Sequence, residues 1–367
     1  MTKDEERQQA EWLVAEIKRY LQPFQRKFRF MEVCGTHTVA IFRSGIRQLL
    51  PDNVELISGP GCPVCVTPDI YIDKAVAYAK RPEIIIATFG DMLKVPGSRS
   101  SLAEEAASGA DIRVIYSPLD SLRLAIDNPD KLVVFLAVGF ETTAPTEAAA
   151  IAMAKKQQVK NFYVLPALKL VPPALEMLLS NADHRPDGFL LPGHVAVITG
   201  TETFNFVAEK YKVPGVVAGF EPLQILRAVY ELARMVSGGN AEIVNAYPDV
   251  VRKDGNPQAK ALVQEVFSKT AAEWRGLGML AESGLSLSAD YKEYDIEEKL
   301  PVKVSALPKK SACRCGDVLQ GRILPTECPL FGKVCTPEAA KGPCMISVEG
   351  VCAAWFKYGG GRFRYER

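Results

Sequence analysis

Charge is nearly absent as a net quantity: the 367 residues carry 44 Lys and Arg against 43 Asp and Glu, leaving +1. Such a balance offers no electrostatic basis for binding nucleic acid or an anionic membrane. Long apolar runs are missing too. The most hydrophobic stretch, residues 132–140, is far shorter than the roughly 20 residues that span a bilayer. The start, MTKDEERQQAEWLVAEIKRY, lacks the apolar core of a secretory signal. It reads as an amphipathic helix with Trp12, Leu13, Ile17, Tyr20 and Leu21 on one face, and the expected location is the cytoplasm. No GxxxxGK[ST] loop occurs, so ATP chemistry is not expected. No CxxxCxxC run occurs, which argues against a radical-SAM centre. Hydrophobic residues at 48% and charged residues at 24% are ordinary for a globular chain, and the length suits two or three domains.

What is present is an uneven set of nine cysteines. Cys34 stands alone, Cys62 and Cys65 form a CxxC pair, and Cys313, Cys315, Cys328, Cys335, Cys344 and Cys352 crowd the end of the chain, with none between Cys65 and Cys313. In a reducing compartment a disulfide framework is not expected. The distribution suggests two chemical sites, or one site built from distant parts of the chain.

Short runs rich in β-branched and aromatic residues alternate with helical patterns. They fall at 28–33, 54–58, 84–88 and 112–116, then at 132–138, 161–165, 188–191 and 215–218. Most are apolar throughout, as strands covered on both faces are, so an α/β fold with parallel sheets is expected. A repeat is visible as well. GDMLKVPG at 90–97 matches GHVAVITG 103 residues later; Pro118, Leu119, Leu122 and Arg123 match Pro222, Leu223, Leu226 and Arg227, 104 residues later; Val33 before CGTHT matches Val138 before GFETT, 105 residues later. The expectation is therefore two similar parallel-sheet α/β domains, 1–122 and 123–245, facing a central cleft, and a smaller carboxyl-terminal domain, 246–367, that depends on metal for order. Within the third, residues 257–272 look helical and the final GGGRFRYER reads as a loose tail.

The unusual sequences sit at the carboxyl ends of the expected strands, where open α/β sheets bind ligands. Cys34, in MEVCGTHT, lies where a strand gives way to a helix, and the positive end of that helix should ease ionisation of the thiol. Gly35 would let the chain turn or a ligand approach, and His37 is near enough to share the site; a buried cysteine with a capping threonine is the plainer alternative. Cys62 and Cys65 lie in SGPGCPVCVTPD, a stiff turn in which Thr67 could cap a helix starting at Pro68. Such a pair serves as a redox dithiol or as metal ligands; zinc would require a second pair at matching spacing, and none is nearby. The six late cysteines can supply the four thiolates of a [4Fe–4S] cluster, with four-cysteine zinc as the competitor. GFETT places Glu141 and Thr142 at one strand end, and PGHV places His194 at another. Each could relay protons or hold a polar ligand, and each could equally be a hydrogen-bonded structural residue. Asp91, in FGD, is the repeat partner of His194. The third histidine, His184, lies in a polar turn.

Together MEVCGTHT (31–38), GPGCPVC (59–65), ATFGDMLKVPG (87–97), VGFETT (138–143), PGHV (192–195), VAGFEPL (217–223), EWRGLG (273–278), CPLFG and CAAW resemble the HypD family, over nearly the whole chain. The resemblance implies a maturation factor for nickel–iron hydrogenases, with a redox and ligand-transfer role rather than that of a free-standing enzyme. It would be a scaffold for an iron carrying one carbon monoxide and two cyanides, acting with a small HypC partner and receiving cyanide from HypE, itself charged by HypF. By motif, Cys34 would bind the iron, and Cys62 and Cys65 would add a redox dithiol or further ligation. His37, Glu141, Thr142 and His194 would line the cleft. Cys315, Cys328, Cys335 and Cys352 would hold the [4Fe–4S] cluster, leaving Cys313 and Cys344 as an auxiliary disulfide or two free thiols. Thiolate suits an iron with soft ligands, and a closed cleft would exclude water and oxygen. The alternative is a stand-alone thiol–disulfide or iron–sulfur oxidoreductase acting on a small molecule.

Overall fold

In the computed structural model, which describes residues 2–304 and 312–359, nine parallel strands form two sheets. They are β1 (Phe28–Glu32), β2 (Val54–Ser58), β3 (Ile84–Thr88), β4 (Ile112–Val114), β5 (Leu132–Ala137), β6 (Phe162–Pro166), β7 (Gly188–Pro192), β8 (Gly215–Ala218) and β9 (Ile243–Asn245). All eight strands expected from sequence are present, with ends shifted by a residue or two; β9 was not expected. The interiors of β3, β5, β7 and β8 are buried, as their all-apolar sequences require when helices cover both faces.

The allocation of strands differs from a split at residue 122. One sheet runs β2-β1-β7-β8-β9 and the other β4-β3-β5-β6. The expectation that strands before and after residue 122 build separate sheets is thereby corrected. The repeat explains the pattern. Shifting by four strands, β1, β2, β7 and β8 correspond to β5, β6, β3 and β4, so the order β2-β1-β7-β8 in the first sheet equals β6-β5-β3-β4 in the second. Each sheet therefore joins the first strand pair of one repeat to the second pair of the other. The apolar runs specify which segments are strands, but the pairing partner depends on how the two repeats cross.

The amino-terminal helix, Lys3–Leu21, opens with a complete capping box at Thr2 and Glu5 and buries Leu13, Ile17 and Leu21 against the helix Pro222–Ser237. Trp12 departs from the expected buried face: it is 54% exposed and meets Tyr230 at the rim with the rings tilted by 46° and their centroids 5.5 Å apart. The helix expected over 257–272 ends sooner. It spans Pro257–Val266, and Phe267–Trp274 is instead strand β10, paired antiparallel with β11 (Gly278–Leu287). Pairing with β11 overrides a weak helical pattern there. Backbone bonds from Leu285 N–H to the Leu168 carbonyl (3.2 Å) and from Leu170 N–H to that of Ser283 (2.9 Å) fix this hairpin at the carboxyl edge of the second sheet. The expected loose tail lies, beyond Gly359, outside the described residues. No helix among the described residues is long and apolar enough to cross a membrane.

Trp274 closes the hairpin. It is fully buried, stacks on Phe140 of the GFETT loop at 5.8 Å, and satisfies its indole N–H on the Ser283 hydroxyl at 2.9 Å. Trp274→Ala should lower stability by about 3–5 kcal/mol, measurable by denaturant titration. A loss under 1 kcal/mol would show that the hairpin does not depend on this side chain.

Candidate functional site

Cys34 occupies the cap position of the helix Gly35–Arg43, directly after β1. Its backbone is pressed against the end of β2: Gly35 N–H donates to the Gly61 carbonyl at 3.1 Å, and a Cβ at Gly61 would overlap the backbone of Val33 and Cys34. The two cysteine motifs therefore form one continuous surface because β1 and β2 are neighbours in register and both loops are glycine at the contact. Cys62 caps the single turn Pro63–Val66, its sulfur accepting from Cys65 N–H at 3.2 Å. Cys62 and Cys65 are joined as a disulfide with Cα atoms 5.2 Å apart. Thr67 does not cap the following helix, Asp69–Ala79; Pro68 holds that position, and the Thr67 hydroxyl turns back to the Pro63 carbonyl (2.9 Å).

The expectation that Cys34 ionises easily is overturned. Burial pushes its thiol up to about 11, with Glu349 adding to the effect, and the backbone amides of His37 and Thr36 only partly offset this. A thiol so protected is protonated at neutral pH, and a bound metal would have to displace the proton. His37 is fully buried, and its Nε2 lies 2.9 Å from the Gly219 carbonyl. That nitrogen must carry the hydrogen, leaving Nδ1 a buried acceptor without a partner. Burial holds the ring neutral, down to about 4. His37 and exposed His194 both stack on Phe220, at 4.6 and 3.9 Å.

The structure adds a residue with no sequence signal. Glu349 accepts from the Thr36 hydroxyl at 2.7 Å, packs over Gly35, and faces both Cys34 and His194 electrostatically. It reaches the site because the preceding residues are anchored on the second sheet: Asp91 accepts from the Ser347 hydroxyl (2.8 Å) and from Val348 N–H (3.3 Å). Asp91 thus acts as a docking point. Cys34, His37, His194, the Cys62–Cys65 turn, Asp91 and Glu349 form one assembly.

Glu141 and Thr142 follow β5 of the second sheet. No hydrogen bond, ion pair or ring contact among the described residues joins either to Cys34, His37 or His194. Thr142 is exposed. Glu141 is buried, one oxygen accepting from Val171 N–H at 2.9 Å and the other without a partner. Burial raises its pKa to about 7, within reach of proton transfer at neutral pH. Glu147, in the first turn of the helix Ala144–Lys156, is wholly buried and pushed well above the carboxylate range by the same cause.

The late cysteines come together. Cys313, Cys315, Cys328, Cys335 and Cys352 line one small cavity with Val318, Leu330, Phe331 and Met345. Cys313 and Cys315 have their sulfurs 3.2 Å apart, while buried Cys344 also interacts with Cys315. Cys313 and Cys344 are not joined to one another, because each faces Cys315 instead. Gly342 forms part of the wall; a Cβ there would lie 2.8 Å from the sulfurs of Cys313 and Cys315. Burial and crowding by neighbouring thiols hold the Cys352 thiol in its neutral form. Among the described residues no three His, Cys, Asp or Glu side chains converge as ligands of a single ion would. The thiols line one cavity, a soft donor set whose chemistry fits a [4Fe–4S] cluster or four-cysteine zinc. The cage adjoins the disulfide turn, since Pro63–Val66 packs against Pro343–Met345.

A family model named HypD, described as the hydrogenase formation hypA family, matches residues 8–359. The hydrogenase maturation factor HypD of Escherichia coli K12 is 46% identical over 335 residues, covering 91% of this chain and 90% of that protein. HypD of Rhodobacter capsulatus is 44% identical over 362 residues, covering 96% of each chain. HypD2 of Bradyrhizobium diazoefficiens is 46% identical over 348 residues, covering 93% and 91%.

Glu141 generates a pH-dependent test. Its folded pKa of about 7 lies above the ordinary 4.5, so the folded state holds the proton more tightly. Stability from this group is complete below about pH 4.5 and is lost as pH rises through 7, by about 3 kcal/mol. Against Glu141→Gln, the wild type should lose relative stability over that interval in urea titrations at successive pH values. A pH-independent difference would mean that the carboxyl is solvated.

Proposed function

Because this chain belongs to the HypD family of hydrogenase maturation factors, we propose that it is a cytoplasmic scaffold and redox protein for the iron of a nickel–iron hydrogenase. On it the iron receives one carbon monoxide and two cyanides. The small partner would be a HypC-like chaperone, and cyanide would come from a HypE-like donor charged by a HypF-like protein. The observation that carries this reading is the contact between Cys34 and the Cys62–Cys65 turn at Gly35 and Gly61. A lone thiol at a strand end lies against a redox-capable pair, and the pair adjoins a thiol cage.

The residues divide the work by their chemistry. Cys34 offers a single soft ligand, so iron held there keeps coordination positions for a ligand from a partner and can later leave. Neutral His37 supplies an acceptor at Nδ1, and Glu349 and His194 present charge and hydrogen-bonding groups at the rim. Cys62 and Cys65, as a dithiol, give up two electrons and two protons on closing to the disulfide, and regain them on reopening. They can ligate iron only in the reduced form. Cys315, Cys328, Cys335 and Cys352 would hold a [4Fe–4S] cluster, which when bound supplies electrons one at a time. Glu141, poised near neutrality, is the proton reservoir on the second sheet. The contact of Cys315 with Cys344 favours one second reading, in which Cys313 replaces Cys315 as the fourth ligand.

Anaerobic reconstitution should yield about four irons and four acid-labile sulfides per chain. Alanine at Cys328, Cys335 or Cys352 should remove most of both, as should Cys315→Ala, with Cys313→Ala and Cys344→Ala retaining much. Loss in Cys313→Ala with retention in Cys315→Ala would establish the second reading; bound zinc without sulfide would refute the cluster altogether.

Thiol counting before and after mild reduction should change by two, and the change should vanish in Cys62→Ala. An unaltered count would leave the pair with metal ligation alone. Catalytic turnover of a small dithiol substrate without partner proteins would instead favour the free-standing oxidoreductase.

A further inference from the structure

Arg275 lies in the EWRGLG turn between β10 and β11, at the seam between the disulfide turn and the thiol cage. On one side it grips the chain just past Cys65. Its backbone N–H donates to the Val66 carbonyl (2.7 Å), its Nε to that of Thr67 (2.7 Å), and its Nη1 to Asp69 (2.5 Å). On the other side the next residue, Gly276, is in the left-handed region (φ 81°), and a Cβ there would overlap the Gly316 backbone beside Cys315. The Gly276 carbonyl also accepts from Gln320 at 2.6 Å, pinning the turn to the helix Cys315–Leu319. Arg275 Nη2 is buried and has no acceptor. A buried guanidinium nitrogen left without an acceptor is costly and calls for a cause.

We propose that Arg275 is a positioning residue that couples the two redox groups: its fork holds the Cys62–Cys65 turn closed, and its guanidinium, buried where the EWRGLG turn meets the helix that carries Cys315, stabilises electrons added to the cage. The inference rests on reading the turn and the cage as redox groups. Holding Val66, Thr67 and Asp69 in place keeps the two thiols of the reduced pair close, which favours the disulfide. A fixed positive charge beside the cage favours its more negative, reduced state.

The test compares the full-length wild type with Arg275→Lys and Arg275→Gln. In the metal-free chain, the Cys62–Cys65 thiol count is followed across glutathione ratios. In the reconstituted chain, the midpoint potential of the cluster is followed by optical and EPR titration. Both substitutions release the fork, so both shift the thiol–disulfide equilibrium at least tenfold toward the dithiol, about 30 mV for a two-electron couple. Only glutamine removes the charge, so the midpoint falls in Arg275→Gln and stays near wild type in Arg275→Lys. If Arg275→Gln does not fold, Asp69→Asn loosens the fork alone and should shift the thiol equilibrium without moving the midpoint. Wild-type behaviour of either group in Arg275→Gln, or of the thiol pair in Asp69→Asn, overturns the proposal. A wild-type chain that binds no iron and sulfide would strike the reading of the cage, while the thiol count would still decide whether Arg275 controls the turn.

Discussion

No side chain fits at Gly35 or Gly61, and the candidate site depends on that constraint. At Gly61 the loop after β2 lies against the backbone of Val33 and Cys34; at Gly35 the carboxyl-terminal segment lies against the first turn of the following helix, bringing in Glu349. Three distant parts of the chain meet at one thiol because two positions there carry no Cβ. A methyl group at either would force the layers apart, and Cys34 would lose its redox-capable neighbour or its acidic rim.

Around this contact the two sheets share strands. Each repeat gives its first strand pair to one sheet and its second pair to the other. The first sheet then carries Cys34, the Cys62–Cys65 turn and His194 at its strand ends, and the second carries Asp91 and Glu141. The terminal segment spans them, held on Asp91 at Ser347 and Val348 and on Thr36 at Glu349. The same segment bears Cys344 and leads into the helix Val351–Tyr358 that carries Cys352.

Much of this was legible in the residues. Eight apolar runs corresponded to eight strands because a doubly covered parallel strand has a composition that few other elements share. The repeat was visible in Gly, Pro and Leu-Arg matches, yet the exchange of strands was not, since offsets in sequence carry no information about which sheet a strand joins. His37 and His194 could be named as neighbours of Cys34 from motif alone, while Phe220, which joins them, reads as an ordinary aromatic in VAGFEPL. Glu141 was nameable from its motif, but not the sheet that carries it, because a strand end in a second sheet looks like one in the first. Glu349 had no signal; it lies over 300 residues from Thr36 in sequence, and its role comes from tertiary docking. The ease of ionising Cys34 failed for a physical reason: helix position favours the thiolate by a modest amount, and burial opposes it more strongly.

The central claim is that Cys34 holds the iron while its ligands are attached. It is tested most directly by infrared spectroscopy of the anaerobic chain copurified with its small partner, comparing wild type with Cys34→Ala. The wild type should show bands of iron-bound cyanide and carbon monoxide. The variant should fold and keep the iron and sulfide of the cage, which uses other residues, and should lack those bands. Unchanged bands in Cys34→Ala would contradict the account and move the iron to Cys62 and Cys65.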